Sequence, residues 1–376
     1  MLKIKNILWD KYFFITVPLL VIFIIHLFCT PTYILLSADC KISNDICNMQ
    51  AKIDRKDHIL ESVKNIYDAS THMAKTEFRL TPPFFAKIFR IQTKSDMYLL
   101  QFIIGVLFFF LITKFTFQIT NNKILTLLIT LSFSFLYTGY SFFSELLGYF
   151  DCFAFFFLLI SMFDISVFFI FISLFFAFWT DERAISSSFL IIFWWQYKQI
   201  KLTNKSFFLP SKQSISVILC IVSYFLFRIF LIKNFGLKNQ LDGASMQVIS
   251  DTIQFYNLTT WQMFEGFWII ILWAIIQLIN DRKIITLLFF ILCNLLMFIS
   301  AMCVYDNTRS IAYAFPSILI ATYIIKDYYD FKKLAAISLL ICYLFPCYFY
   351  VCGVAVSRHD PIYIRFAKKL VHAKNI

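Results

Sequence analysis

Charged residues are scarce in this 376-residue chain. Asp, Glu, Lys and Arg make up 15% of the sequence, whereas hydrophobic residues make up 60%. A soluble domain carries about 25% charged residues, so the shortage excludes a protein that exposes most of its surface to water. Apolar runs recur along the whole chain, and about 20 apolar residues are enough to cross a bilayer. The sequence therefore predicts an integral membrane protein.

Other patterns that the sequence lacks exclude further classes of protein. The ten Cys include no paired Cys-x-x-Cys and the five His form no cluster, so no zinc pattern is present. No aromatic-basic nucleic-acid module accompanies the net charge of +12, which we attribute to cations that fix membrane topology. The chain has no internal repeat of the kind found in many transporters. No small-residue cleavage site follows the first apolar run, which we interpret as a retained span.

What the chain does contain is a series of apolar segments, eleven by our count. They predict one all-α domain, residues 1–376, folded as a polytopic transmembrane bundle. The fourth and fifth segments are short and are separated only by Asp164, so a hairpin of half-length helices remains an alternative for them. The segments are Tyr12–Leu36, Met97–Phe117, Ile124–Phe143, Tyr149–Phe163, Ile165–Trp179, Ala184–Tyr197, Ile215–Ile232, Trp261–Ile279, Ile284–Val304, Ile311–Ile325 and Leu334–Cys352.

The distribution of cations predicts the orientation, because short cytoplasmic loops are enriched in Lys and Arg. One side holds fourteen cations in short loops, which places the N-terminus in the cytoplasm and the C-terminus outside. The fourteen are Lys3, Lys5, Lys11, Lys114, Lys123, Lys198, Lys201, Lys205, Lys212, Arg282, Lys283, Lys326, Lys332 and Lys333. The opposite short loops hold four, namely Arg183, Lys233, Lys238 and Arg309, with the long first loop and the C-terminal tail left out because long segments cross largely regardless of charge.

This orientation places two long loops outside the cell. The first, Ser37–Asp96, contains apolar residues at helical spacing, which predict an amphipathic helix on the membrane surface; they are Ile53, Ile59, Leu60, Val63, Ile66 and Tyr67. A second short helix is expected around residues 84–91, after a break at Thr81-Pro82-Pro83. Lys233–Thr260 forms the second outer loop. Cys40 and Cys47 lie where a disulfide can persist, and both a bridge and two free thiols remain open.

Unusual polar residues gather on the outer side. Each has an ordinary explanation, since short turns need polar residues, Asp181 and Asp306 can cap helices, and His26 can be a packing residue. Their shared sidedness is harder to explain in that way, because charge close to hydrocarbon is costly and usually faces a cavity or a partner. We therefore predict a site formed by Asp39, Glu145, Asp151, Asp181, Glu182, Arg183, Asp306 and Arg309, with His26 and Arg228 inside their spans.

The layout resembles that of GT-C glycosyltransferases, polytopic enzymes that use lipid-phosphate-linked sugars. In that fold the first span leads into a large outer loop with amphipathic helices and an essential acidic residue near its start, and a second long loop follows the seventh span. Asp39, the Ser37–Asp96 loop and the Lys233–Thr260 loop match these features. The turns at residues 181–184 and 306–309 also look like those in uncharacterised membrane proteins of bacterial surface-polysaccharide clusters.

The resemblance implies transfer of a sugar from a polyprenyl phosphate or diphosphate to a glycan or lipid-linked acceptor, on the outer face of a bacterial cytoplasmic membrane. Such transfer needs a carboxylate base and cations for the departing phosphate. The catalytic set would be Asp39, Asp181 and Glu182, and the phosphate-binding set Arg228, Arg309 and Arg183. The acceptor, or an assisting Mg²⁺ or Mn²⁺, would be bound by Asp151, Glu145, Asp306 and His26.

Three other classes of protein are alternatives. A polymerase of the O-antigen type also acts on lipid-linked glycans, but such proteins place essential arginines in large outer loops later in the chain, whereas here the largest loop comes first. A transporter or flippase of lipid-linked glycans predicts internal repeats and polar residues at mid-membrane depth. A non-catalytic scaffold would not need a one-sided set of acidic and Arg residues.

Overall fold

The structure, a computed structural model, describes residues 2–29, 36, 47–61, 77–146, 148–203, 209–237, 246–345, 348–351 and 354–357. These ranges are overwhelmingly helical, so the expected helical class is confirmed, with one short antiparallel pair of strands near the C-terminus. The helices are α1 Leu2–Phe28, α2 Cys47–Asp54, α3 Thr81–Ile88, α4 Lys94–Thr120, α5 Lys123–Phe133, α6 Tyr137–Ser144, α7 Asp151–Ile160, α8 Val167–Thr180, α9 Arg183–Thr203, α10 Lys212–Phe235, α11 Met246–Thr252, α12 Tyr256–Phe264, α13 Trp268–Asn280, α14 Ile284–Met302, α15 Asn307–Ile311, α16 Pro316–Ile324 and α17 Phe331–Leu344. The strands are β1 Tyr348–Val351 and β2 Val354–Ser357.

Several helices are long and apolar enough to cross a membrane. Within the described ranges there are four of them, or five if the bent pair α5 and α6 is one span. Shorter apolar helices, including α7 and α8, accompany them. This indicates a membrane protein, while the predicted count of eleven spans exceeds what helix length and composition support. The four are α4 Lys94–Thr120, α10 Lys212–Phe235, the helical run Val248–Asn280, which includes α12, α13 and most of α11, and α14 Ile284–Met302.

The fourth and fifth predicted segments correspond to α7 and α8, which pack against each other around a tight turn. The ten residues of α7 extend about 15 Å, roughly half of a 30 Å hydrocarbon core. Helix α8 has 14 residues and extends about 21 Å, and the turn at Asp164 pairs with Lys198 towards the far end of α9. The choice between a hairpin of half-length helices and two full spans therefore stays a prediction. The hairpin places the start of α7 and the end of α8 side by side, where Asp151 and Asp181 lie.

The third predicted segment is broken rather than continuous. Helices α5 and α6 meet at an angle of 63°. Gly139 lies at the bend, and a Cβ at this position would be 1.9 Å from the carbonyl oxygen of Phe133, so only glycine fits there. The bend directs α6 into the turn that carries Glu145 and leads to α7.

Phenylalanine fills the interior between these helices. The rings of Phe108 and Phe142 are stacked with centroids 4.6 Å apart, and Phe155 meets Tyr313 edge-on at 4.8 Å. Such pairs bury large apolar areas and fix the relative position of the helices that carry them. The same packing holds the Tyr313 hydroxyl beneath the polar end of the bundle.

The first outer loop differs from the prediction. Of the expected amphipathic helix, Ile53 lies in α2, which ends at Asp54 and is followed by a 3₁₀ turn at Arg55–Asp57, and Ile59 and Leu60 lie in a turn. Val63, Ile66 and Tyr67 lie outside the described residues. Arg55 donates through Nη2 to the carbonyl of Ile59 at 3.1 Å, and Lys56 donates through Nζ to the carbonyl of Ile91 at 2.6 Å. These bonds fix the described part of the segment to the protein.

The predicted second short helix is confirmed as α3, but it begins at Thr81. Pro82 and Pro83 lie in its first turn instead of preceding it, because proline lacks only an N–H that a helix start leaves unbonded anyway. The Thr81 hydroxyl donates to the carbonyl of Phe176 at 2.8 Å, which fastens α3 to α8.

Candidate active site

Four helix ends meet at one end of the bundle. Helix α7 begins at Asp151, α8 ends just before Asp181, α9 begins at Arg183, and α15 follows α14 and carries Arg309. Ion pairs connect Asp151, Asp181, Arg183 and Arg309, which come from three separate parts of the sequence. We call this region the arginine end.

Asp151 is at the centre of these contacts and is buried. Its Oδ1 accepts from Arg183 Nη2 at 2.8 Å and from the Tyr313 hydroxyl at 3.1 Å, and its Oδ2 accepts from Arg309 Nε at 2.6 Å. The preceding residue, Phe150, adopts a left-handed conformation with φ +60°, which is uncommon for a non-glycine residue and costs free energy. This backbone turn directs the first residue of α7 into the protein.

Asp181 joins the first outer loop to the bundle. It accepts from Arg183 Nε at 2.6 Å and Nη2 at 2.7 Å, and from Arg79 Nη2 at 2.7 Å. Burial raises the pKa of this carboxyl, but the guanidinium groups of Arg183 and Arg79 lower it more, so the pKa lies below its usual range. Asp181 therefore stays ionised.

Arg309 completes the set and is almost fully buried. Its Nη1 donates to Asp306 Oδ2 at 2.8 Å, and its guanidinium lies 3.6 Å from the centre of the Tyr149 ring. Its Nη2 is buried and has no hydrogen-bond partner among the described residues. Three carboxylates and three guanidinium groups thus form one neutral cluster. We call it the Asp–Arg network: Arg79, Asp151, Asp181, Arg183, Asp306 and Arg309.

A glycine allows the first outer loop to approach this network. Gly148 has φ +78°, and a Cβ there would lie 2.4 Å from the backbone nitrogen of Met49 in α2. A side chain at position 148 would therefore be strained and would push α2 away. The close approach holds α2 against the turn that precedes Asp151.

Two predicted site residues lie outside the network and form no ion pair among the described residues. The carboxylate of Glu182 is exposed and has no hydrogen-bond or ion-pair partner among the described residues. Arg228 forms no ion pair in the part of the chain that the structure describes; its Nη1 donates to the Tyr224 hydroxyl at 2.7 Å, and its guanidinium lies 4.3 Å from the centre of the Phe78 ring. Phe78 precedes Arg79, so Arg228 stands beside the network without joining it.

Two further cations of the first outer loop are buried next to this region, Lys52 and Arg55, with 4% and 3% of their surface exposed. Burial lowers the pKa of the Lys52 ammonium, and the charges of Arg55 and Arg79 lower it further, against a smaller opposing effect of Glu182 and Asp181. Because like charges act on one another here, Lys52, Arg55 and Arg79 form a group. We call them the loop cations.

The predicted site residues therefore divide. The network takes in Asp151, Asp181, Arg183, Asp306 and Arg309, while Glu182 and Arg228 stand at its edge. His26 does not join: its Nδ1 lies 2.9 Å from the carbonyl oxygen of Ile22 and its ring packs on Phe102 and Phe143. Glu145 is buried and accepts from the backbone of Tyr149 at 3.3 Å. Asp39 and Cys40 lie outside the described residues, so the possible Cys40–Cys47 bridge stays a prediction.

The structure also adds residues that the sequence did not indicate. Arg79, Ser310 and Tyr313 bind network members directly, and the Ser310 hydroxyl accepts from Arg183 Nη1 at 2.8 Å. Arg79 could have been selected from the sequence, because it is an arginine in the predicted outer loop. Ser310 and Tyr313 gave none, because Ser and Tyr are ordinary residues of apolar segments.

A metal site finds no support in the described part of the chain, where no group of three or more His, Cys, Asp or Glu side chains could hold an ion. Comparison with protein-family models, with curated proteins and with solved structures gives no match. The resemblance to GT-C proteins therefore stays a prediction from the sequence.

Proposed function

We propose that the protein is a membrane glycosyltransferase that moves a sugar from a polyprenyl phosphate or diphosphate to a glycan or lipid-linked acceptor. The observation that carries the proposal is the convergence of three polar turns, from residues 151, 181–183 and 306–309, on a single buried network with an open carboxylate at its edge. An open carboxylate next to a fixed set of charges is what a general base requires.

In this proposal Glu182 takes the proton of the acceptor hydroxyl, together with or in place of Asp39. The acceptor oxygen forms a bond to the anomeric carbon, and the bond between that carbon and the phosphate oxygen breaks. The electron pair stays on the phosphate, whose charge the nearby cations stabilise. Asp151 and Asp181 are unsuited to the role of base because arginine forks engage both of their carboxylates, so the Asp–Arg network holds the site together.

The proposed orientation keeps the N-terminus in the cytoplasm and the C-terminus outside, with up to eleven membrane crossings and the arginine end on the outer face of a bacterial inner membrane. The excess of short-loop cations on the opposite side supports it. Reporter domains inserted after Lys205 should be detected in the cytoplasm, and those inserted within Ser37–Asp96 should be detected outside. The reverse result would place the network on the cytoplasmic side and overturn the orientation.

The test of function is the variant Glu182→Gln, compared with Asp327→Asn at the far end of the bundle. Asp327 is also an exposed carboxylate, with 80% of its side chain accessible. Each is produced in a deletion strain of the source organism, and surface glycans are analysed by mass spectrometry. We expect Glu182→Gln to remove one sugar from the glycan by lowering transfer about 100-fold or more, while Asp327→Asn restores the wild-type glycan.

Abundance of each variant in the membrane serves as the control. Normal glycan in the deletion strain would refute a glycosyltransferase. Full activity of Glu182→Gln would transfer the role of base to Asp39, which Asp39→Ala tests in the same strain. A glycan with complete repeat units but a shortened chain would favour the O-antigen-type polymerase.

A further inference from the structure

Three lysines converge at the end of the bundle opposite the arginine end. Lys201 belongs to the last turn of α9, Lys283 to the turn between α13 and α14, and Lys326 to the turn that follows α16. The Nζ atoms of Lys201 and Lys326 lie 4.9 and 5.1 Å from the centre of the same ring, that of Tyr323. We call Lys201, Lys283 and Lys326 the lysine triad.

The members of the triad repel one another and are only weakly paired. Partial burial lowers the pKa of the Lys201 ammonium, and the charges of Lys326 and Lys283 lower it further against an opposing effect of Asp327. The carboxylate of Asp327 lies 3.6 Å from Lys201 Nζ and is 80% exposed, while Lys326 forms no ion pair with any described residue. An exposed pair is weak, so another anion can replace the Asp327 carboxylate at little cost.

Membrane topology accounts for lysines at this end of the bundle, but it does not account for their convergence. Cations that only fix the orientation of spans act from separate loops, and mutual repulsion favours keeping them apart. Here three elements that are distant in the sequence bring their ammonium groups together around one aromatic ring. Such a concentration of positive charge is complementary to an anion.

The surroundings of the triad indicate an anion that belongs to the membrane. Ile279 and Ile284, which flank Lys283, are half exposed, and so are Ile285 and Leu288 on the first turns of α14. Apolar side chains exposed beside a cation place it at the level of the lipid head groups. Basic pockets between spanning helices bind anionic head groups, and lysine binds phosphate as a point charge. A soluble anion would need no apolar flank.

We propose that the lysine triad binds the phosphate of an anionic phospholipid whose hydrocarbon chains lie against the exposed apolar side chains of α13 and α14. The ammonium groups are carried on flexible four-carbon stems and can turn towards one phosphate. The bound lipid thereby connects α9, the turn after α13 and the turn after α16 at the membrane surface. The site lies at the other end of the bundle from the Asp–Arg network, so it does not rest on the proposed function.

The test is lipid binding to the full chain in uncharged detergent, measured by native mass spectrometry at increasing lipid concentration. Phosphatidylglycerol is anionic, phosphatidylcholine has the same phosphate but no net charge, and glycerol phosphate has the head without the chains. We expect phosphatidylglycerol to bind about 10-fold or more tightly than either, since each lysine contributes about 5-fold. Equal binding of phosphatidylcholine would refute the cation site. Equal binding of glycerol phosphate would identify a soluble ligand and overturn the lipid.

Variants test whether the triad itself is the site. Lys201→Gln and Lys326→Gln should each weaken phosphatidylglycerol about 5-fold, and the double variant should bind both phospholipids alike. Lys333→Gln is the matched control: it removes the same charge at the same end of the bundle, from a side chain that is 75% exposed and pairs with Asp330, and it should have no effect. Equal weakening by Lys333→Gln would mean that overall charge attracts the lipid, and wild-type affinity in the double variant would also overturn the proposal.

Thermal unfolding provides an independent measurement. Lys201 and Lys326 are partly exposed, so the double variant should unfold at nearly the temperature of the wild type when no lipid is added. Phosphatidylglycerol should then raise the unfolding temperature of the wild type, because a ligand that binds the folded state stabilises it. The double variant should show a much smaller increase. An increase of equal size in both proteins would contradict the site.

Discussion

The two ends of the helical bundle use ion pairs in different ways. At the arginine end, the paired side chains of Asp151, Asp181 and Arg309 are at most 2% exposed. The opposite end, which we call the lysine end, pairs Lys198 with Asp164, Lys201 with Asp327 and Lys283 with Asp281. Those carboxylates keep 34% to 80% of their side-chain surface accessible.

This difference follows from the chemistry of the two cations. Lysine is a compact, strongly hydrated charge, and an exposed pair contributes about 0–1 kcal/mol. Arginine is less strongly hydrated and offers several donors in one plane, so it can satisfy buried carboxylates from more than one side. The lysine end therefore tolerates the loss of a charge, whereas the arginine end requires all of its members.

The largest difference in stability between changes at the two ends should come from removing the central carboxylate of the Asp–Arg network. Asp151→Ala leaves Arg183 and Arg309 buried without their shared partner, and breaking a buried pair costs about 3–5 kcal/mol. We expect this loss in the free energy of unfolding, measured by denaturant titration of the purified chain in detergent micelles. Such a loss would abolish folding in a marginally stable protein.

Asp164→Ala is the matched control at the lysine end. It removes the carboxylate that pairs with Lys198, and the expected cost is less than about 1 kcal/mol. Lys198 also retains the faces of Trp194 and Trp195, at 5.5 and 5.1 Å from their ring centres. Similar losses in both variants would mean that burial does not distinguish the two ends.

The sequence predicted much of this polar arrangement. Apolar periodicity located the helices, and the one-sided placement of Asp151, Asp181, Arg183 and Arg309 correctly indicated that these residues meet. The reason is physical: charge close to hydrocarbon is tolerated where it can be paired, so its position along the chain carries information about contacts.

The sequence could not predict which charged side chains are already engaged by acceptors within the protein. Arg183 and Arg228 appear alike as arginines near apolar residues, yet three acceptor residues engage the first and a single tyrosine the second. That distinction depends on helix register and on the docking of the first outer loop at Gly148. Lys52 and Arg55 were not predicted as buried residues, because they interrupt the apolar face of the predicted amphipathic helix that carries Ile53 and Ile59.

Asp181 and Asp281 should also differ, by a smaller amount, in their pH-dependent contributions to the free energy of unfolding. Arginine neighbours hold the pKa of Asp181 below its usual range against the effect of burial, while a hydrogen bond from Lys283 lowers the pKa of Asp281 at the lysine end. A carboxyl whose pKa is lowered on folding adds stability above its unfolded pKa, about 3.9, and this stability disappears as the pH falls through the folded value. Both aspartates should therefore stabilise the protein at neutral pH.

Comparison of wild type with Asp181→Asn and Asp281→Asn measures these contributions through the free energy of unfolding. We expect the Asp181 contribution to be constant from about pH 8 to pH 5 and to shrink below about pH 4. The Asp281 contribution should have the same sign but be smaller, and 1 M salt should reduce it because solvent screens an exposed pair. If salt weakened the Asp181 contribution equally, the carboxylate would be accessible to solvent ions, and the arginine end would not be the closed network that its geometry implies.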